Sequence, residues 1–469
     1  MATMLPTRRR TASDAFESQM KWRRLIATAA LVLLLEQSMI GVSPFANFGI
    51  AAKDTGGDVL RQVIMVGILG MQFLTPSNAR PPMAMPVSLL VLLGYCLLTC
   101  TWAIDQEIAL RRLALTVLVI WILVRAIGDL GAVRTLNVVR ATLAGLLVIN
   151  YLVVLLTPYG VHLASMGDYE GLEGDWRGIM AHKNAAGAAC ALTVILFSFD
   201  RSRLPALWSG GVIVASLLFL LMTDSKTSIA MLAIAGATGA VLQLYNPRHR
   251  SLVLPLVVMA GIGLIVLAIM YVSVIQNVLD DPAAFTGRAQ IWPLLLEYSG
   301  EHLWKGAGYM SFWQIGNESP IWTLTNNWVA AEVGHGHNGY LDVLVTLGLP
   351  GLILTVGVLF VWPAMKLLYS VDISRARRGL FAALMMFSFG HNMTESTLLD
   401  RASVVHVFLM IAVILIHRLS SQSAGAHQAI RQRLVQFADR RRMAKMRARH
   451  TRRRRFVPPA QTGAEDGIA

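Results

Sequence analysis

Along most of this chain, apolar residues gather in runs of about twenty broken by short polar segments. A helix that crosses the hydrocarbon core of a bilayer needs about 20 mostly apolar residues. Twelve such runs occur, near 25–43, 60–75, 85–104, 109–127, 139–157, 183–199, 206–223, 228–245, 252–276, 337–362, 379–394 and 402–418. They predict an all-α polytopic membrane protein of about 12 transmembrane helices. Runs seven and eight, on either side of Thr223-Asp224-Ser225-Lys226-Thr227, are the least clearly separated, and a single broken hairpin is the alternative there. The pattern changes between runs nine and ten, where residues 277–336 form a long polar loop. Five of the eleven tryptophans lie in it: Trp292, Trp304, Trp313, Trp322 and Trp328. Two readings of them stay open, an interfacial belt and a set of indole faces for sugar rings. Residues 286–299 read as a surface helix with Ile291, Trp292, Leu295 and Leu296 facing the membrane. A loop of this length among tight connections is more often functional than spacer.

Composition agrees with the pattern. The chain is 55% apolar and 14% charged, well below the quarter that is usual in soluble proteins. Cys96, Cys100 and Cys190 all sit inside apolar runs and read as small buried hydrophobes. No cleavable signal is expected, since the first apolar run is long enough to remain as an anchor. With the N-terminus in the cytoplasm, 31 of the 41 Lys and Arg fall on the cytoplasmic side, which predicts both termini inside and the long loop outside. The formal charge of +14 is thus mostly a topological signal plus a basic tail. The tail, 420–469, reads as disordered and bound to lipid headgroups. Without interleaved aromatics it gives no reason to expect nucleic acid. The organisation is a basic arm (1–24), helices one to nine (25–276), the outer loop (277–336), helices ten to twelve (337–419) and the tail.

Four polar groups fall on the outer face. The first is Arg177 with His182, Lys183 and Asn184, where run six starts. Cations at a helix N-terminus suggest a phosphate site, while snorkelling to headgroups is the equally weighted alternative. The second is Asp224-Ser225-Lys226, a pair that is expensive at membrane depth unless used. The third is Arg288 together with Trp292. The fourth is His335-Gly336-His337-Asn338, and beyond it His391-Asn392-Met393-Thr394-Glu395. GxxxxGK[ST], HExxH, CxxC and Asp-x-Asp are all absent, so nucleotide-driven pumping and common zinc sites lack support. Outer-face cations with one uncharged histidine fit transfer of a sugar from a polyisoprenyl diphosphate. The cations steady the departing diphosphate, and the histidine takes the proton of an attacking hydroxyl.

The chain resembles the O-antigen ligase/polymerase superfamily of bacterial inner-membrane proteins, and within it the exopolysaccharide polymerases of the succinoglycan type. The pattern His-(Asn/Ser/Gln)-x9-Gly-x-x-(Gly/Thr/Tyr) is met by His337, Asn338, Gly348 and Gly351. An Arg-x3-Leu box is met in part, Arg288 being followed by Trp292 at the fourth place. Arg177 before His182-Lys183-Asn184, and Ser225-Lys226, resemble two further motifs. The resemblance implies a GT-C-like, metal-independent glycosyltransferase without cofactor. Its donor and acceptor would be undecaprenyl-diphosphate-linked oligosaccharides, joined at the periplasmic face, with membrane lipids and chain-length or export proteins as further partners. Arg177 and Arg288 would hold diphosphate with help from Lys226, His337 would act as base, and Asn338 would orient it or the acceptor. His182, Lys183, Asn184, His335 and Trp292 would complete the substrate site. A ligase that moves finished glycan to lipid A core or protein is the sister reading, and a secondary transporter the rival from another class.

Overall fold

A computed structural model describes residues 7–41, 56–73, 85–163, 172–201, 204–251, 259, 288–327, 329–330 and 333–421. The ninth apolar run, most of the tail and Trp328 lie outside these residues. By internal contacts the chain divides into residues 1–418, which carry everything below, and 419–469, of which only the end of the last helix is described. The regular elements among the described residues are helices, joined by turns and irregular segments, and the one β-pairing among these residues is an isolated antiparallel bridge between Val161 and Trp176.

The helices are α1 (Thr7–Met39), α2 (Gly56–Phe73), α3 (Val87–Thr99), α4 (Gln106–Leu156), α5 (Lys183–Ser198), α6 (Ala206–Met222), α7 (Lys226–Leu244), α8 (Trp292–Glu301), α9 (Gly339–Val356), α10 (Arg375–His391) and α11 (Val404–Ser421). A π-turn carries α9 on to Tyr369. Eleven of the twelve apolar runs overlap these segments. Among the described residues, four helices have the length and hydropathy to cross a membrane: α4, α7, α9 with its extension, and α11. Shorter apolar helices, α3, α5 and α6 among them, stand beside them.

Runs four and five are merged in α4, but Gly131 (φ 73°, ψ 165°) breaks it. The contacts show a reversal of direction. Arg112 holds the carbonyls of Met310 and Trp313, in the long loop. Asp129 pairs with Arg23 of α1. Beyond the break, Arg140 grips the carbonyls of Leu196, Phe199 and Asp200 at the end of α5, and Asn150 receives Ile179 N, near the start of α5. The chain therefore runs away from the loop up to Gly131 and back after it, as two antiparallel helices. A glycine serves this turn because positive φ carries no Cβ penalty there.

Two buried arginines close the end of the bundle away from the loop. Arg140 takes the last carbonyls of α5, and Arg378 takes those of Leu367, Tyr245, Ser370 and Ile373. Both satisfy carbonyls that a helix end leaves without partners. Between the ends, α7 and α10 pack at Gly239 and Gly379, where a Cβ on either would lie 2.8 Å from the other's carbonyl oxygen. Small residues permit such close backbone approach in apolar surroundings.

The long loop is folded in its described part. Ile291, Leu295, Tyr298, Phe312, Trp313 and Ile321 form a core with Val345 of α9. The helix starts at Trp292 after a 3-10 turn at Arg288–Gln290, so the expected 286–299 span shifts. Ile291 and Leu295 are buried in the loop's own core and so do not face the membrane, while Leu296 is exposed. The tryptophans divide: Trp304 and Trp322 are exposed, whereas Trp313 is buried and donates to Asp342 (2.8 Å). Neither a single belt nor a uniform sugar platform describes them.

The loop is sewn into α9 at Gly348, which is non-helical (φ 68°, ψ −179°). Ala307 N donates to Val345 O at 2.8 Å and Leu349 N to Leu303 O at 2.7 Å, so backbone groups freed by the break find partners in the loop. A Cβ at Gly348 would lie 2.6 Å from the Trp304 carbonyl carbon. Gly348→Ala is accordingly expected to destabilise the protein by about 1–3 kcal/mol from backbone strain alone, with the clash in addition. It would be read as a lowered unfolding temperature in detergent, and an unchanged temperature would contradict this packing.

At the start of α5, the half-buried His182 caps the helix by accepting Asn184 N at Nδ1 (3.1 Å). Burial, and then the neighbouring His162 ring, pull His182 down from 6.5 to about 4. The folded protein thus resists a proton that the unfolded chain accepts. The contribution is complete above pH 6.5 and is lost as pH falls towards 4. Unfolding temperatures measured across that window should fall, and His182→Asn, a capping residue that does not titrate there, should flatten part of the slope. Equal slopes for both proteins would refute this assignment.

Candidate active site

Three helix starts and one helix end meet at a single carboxylate. Residues 392–400 turn out of α10 and bring Glu395 under the starts of α5, α7 and α9. Its Oε1 accepts from Arg288 Nη2 (2.6 Å) and from Asn184 Nδ2 (2.8 Å). Its backbone oxygen accepts Gly339 N from the first turn of α9 (3.1 Å). Beside it, Thr394 and Thr227 of α7 share a hydroxyl hydrogen bond of 2.9 Å. Helix starts present positive dipole ends and unpaired N–H groups, which favour an anion at this point.

The fourth neighbour is His337. Its Nδ1 lies 3.6 Å from Glu395 Oε2, beyond hydrogen-bond length, and is buried with no hydrogen-bond partner. The side chain as a whole is 33% exposed, so the ring's other edge is the accessible one. Burial opposes ionisation of Glu395, but His337, Arg288 and His391 outweigh it and bring the carboxyl down to about 2. Glu395 is therefore an anion at any working pH, with Oε2 aimed at a histidine. His337 sits at φ 49°, an uncommon backbone conformation that places its ring against His335 with centroids 4.1 Å apart. His335 Nδ1 in turn accepts His337 N (3.3 Å).

Asn338 does something more local than orienting a substrate. Its Oδ1 accepts Tyr340 N and Leu341 N, capping α9, while Ser396 Oγ receives its backbone N–H. The spacing from His337-Asn338 to Gly348 thus measures one stretch of helix from its cap to its break. Trp292 donates Nε1 to Gly336 O (3.0 Å) and holds the histidine turn from the loop side.

The remaining expected residues lie further out. Lys183 pairs with Asp175 (2.5 Å) and reaches Asp224 at 4.0 Å. Lys226 is exposed at the start of α7. Arg177 is buried, its Nε donating to Tyr159 O (3.2 Å), because the bridge between Val161 and Trp176 folds it inward. The structure therefore gathers Arg288, His337, Asn184, Asn338, His335 and Trp292, with His182 capping the helix that supplies Asn184, and directs Arg177 and Lys183 to protein partners. Glu395 was visible in the sequence at the end of run eleven but received no role. A carboxylate just past an apolar run, on the face that carries the candidate cations, was the available signal.

Chemically, the cluster offers a forked cation, a histidine with one buried and one accessible edge, and an anion that ties them together. Arg288 uses one terminal nitrogen on Glu395, and a guanidinium has further N–H donors suited to phosphate oxygens.

Comparison with known proteins bears on the same stretch. The O-antigen ligase family (Wzy_C) matches residues 211–356, which hold Lys226, Arg288, His335, His337, Asn338, Gly348 and Gly351. The exopolysaccharide production protein ExoQ of Rhizobium meliloti (strain 1021) is 25% identical over 284 residues. That alignment takes in 56% of this chain and spans 61% of the relative's length. Motifs, matched region and relative agree in what they resemble: residues 211–356 are similar to the O-antigen ligase family, and the chain is similar to a protein of exopolysaccharide production, of whose length it spans less than two thirds.

Proposed function

We propose that this protein is a polysaccharide polymerase of about twelve membrane spans in the bacterial inner membrane, both termini cytoplasmic. It joins undecaprenyl-diphosphate-linked repeat units at the periplasmic face, without metal or cofactor. The observation that carries this reading is the Glu395 cluster, which sets the Arg288 guanidinium and the His337 imidazole around one buried anion. In the reaction, an acceptor hydroxyl oxygen attacks the anomeric carbon of the donor glycan. The carbon–oxygen bond to the diphosphate breaks, and the electron pair leaves with the diphosphate. Arg288 supports that leaving group, with Lys226, exposed at the start of α7, as helper. The hydroxyl proton passes to the accessible Nε2 of His337. Glu395 then stabilises the imidazolium through Nδ1–H, a contact that has only to close from 3.6 Å; catalytic hydrogen bonds are often long before substrate binds.

Relative to the sequence reading, the diphosphate site now depends less on Arg177 and Lys183, whose charges are directed elsewhere. A ligase is the second reading, since the matching family is that of the O-antigen ligases. Glycans from a deletion strain separate the two. A lost polymerase leaves single repeat units on the carrier, whereas a lost ligase leaves long carrier-bound chains.

Polymerisation of purified lipid-linked repeat units, normalised to folded enzyme, tests the roles. His337→Ala and His337→Gln are both expected to reduce the rate by about 10²–10⁴-fold, with donor binding retained. Arg288→Lys should also fail, since lysine lacks the forked geometry. Glu395→Gln should lose less than His337→Ala. An active His337→Gln enzyme would remove the base assignment.

Sidedness is tested separately. A cysteine at the exposed Asn326 should react with a membrane-impermeant thiol reagent in intact spheroplasts, and one at the exposed Ser374 should not. The reverse pattern would place the cluster in the cytoplasm and overturn the reaction proposed.

A further inference from the structure

A cavity of about 280 Å³ adjoins the site. His335 and Ser396 line it, but Arg288, His337 and Glu395 do not. Its lining includes the buried Tyr309 and Trp313 and three arginines, Arg111, Arg112 and Arg401. Arg112 is committed to the protein, donating to the carbonyls of Met310 (2.6 Å), Trp313 (2.9 Å) and Gln314 (3.0 Å), and so pins the loop. Arg111 and Arg401 are different. Arg111 is exposed and Arg401 half-buried, and among the described residues neither forms an ion pair; Arg401 Nε is buried without a partner. The two carboxylates in the lining are already engaged by other donors. Asp342 accepts Trp313 Nε1 and Gly336 N, and Asp400 accepts Ala402 N.

Arg111 and Arg401 line the same sugar-sized space, and neither has an ion-pair partner among the described residues, which points to an anionic occupant. A transferase needs such a place. The acceptor's reacting hydroxyl must reach the His337 ring, while the donor diphosphate occupies Arg288. The cavity opens on His335, whose ring lies 4.1 Å from that of His337. We infer that this cavity is the acceptor subsite, and that Arg111 and Arg401 recognise an anionic group on the acceptor saccharide. The anion is a carboxylate of an acidic sugar or a phosphate that the glycan carries. This inference rests on the transferase reading.

The test uses full-length enzyme in nanodiscs polymerising lipid-linked repeat units from a strain that lacks the protein. Three competitors are added: the glycan freed of lipid and phosphate, the same glycan after carboxyl reduction, and the glycan still bearing phosphate. Arg111→Gln and Arg401→Gln should each raise the competitor concentration for half inhibition by about 10- to 100-fold, with donor binding unchanged. Loss of competition on carboxyl reduction identifies an acidic sugar, and competition by the phosphate-bearing form alone identifies phosphate. Arg111 is exposed, so its variant keeps the test sound if Arg401→Gln lowers the unfolding temperature. Equal inhibition of wild type and both variants would overturn the subsite while polymerisation itself continued. Failure of the wild type to form polymer would overturn both readings.

Discussion

A carboxylate 9% exposed is held in its charged state at the meeting point of four helix ends, and most of the site follows from what that requires. An isolated buried charge is too costly to keep. Glu395 keeps its own because Arg288 arrives from a loop 107 residues away and Asn184 from the start of α5, 211 residues away. Removing one partner of such a pair leaves the other uncompensated, at roughly 3–5 kcal/mol. The same contacts that make the anion tolerable also fix the positions of Arg288 and of the turn that carries His337. Stability and the proposed chemistry therefore draw on one set of bonds.

The pair also changes the electrostatics expected of the outer face. Counted along the chain, cations near the site seem plentiful. In the fold, Lys183 is matched by Asp175, Arg177 faces a carbonyl, and Arg288 is matched by Glu395. What the cluster leaves open to an anion is the unoccupied part of the Arg288 fork, the helix starts and the exposed Lys226. Orientation of donors, more than net charge, is the feature available for stabilising a leaving group.

Much of this was legible in the sequence, for identifiable reasons. Apolar runs report helices because burial in an apolar medium acts on every residue of a run. The His337-Asn338 to Gly348 spacing could be read because cap, helix and break are local. The pairing of Arg288 with Glu395 could not, since no local pattern encodes a contact across 107 residues. The burial of Arg177 depends on the bridge between Val161 and Trp176, which is likewise set by the fold. Ile291 and Leu295 read as membrane-facing because their periodicity is that of a surface helix, but the loop supplies its own core on that side of α8.

The way the long loop joins α9 bears on how such proteins can be recombined. The loop meets the bundle at Gly348, at Ile104, which donates to Ala307 O, at Arg112 and at Glu395. An exchange of loops between relatives, made to graft a new sugar preference, would sever four junctions whose partners lie in α9, before α4, within α4 and beyond α10. The natural unit of exchange is therefore not the loop between its flanking helices. It is the loop with the start of α4, the whole of α9 and the segment after α10, a discontinuous module that only the folded chain makes visible.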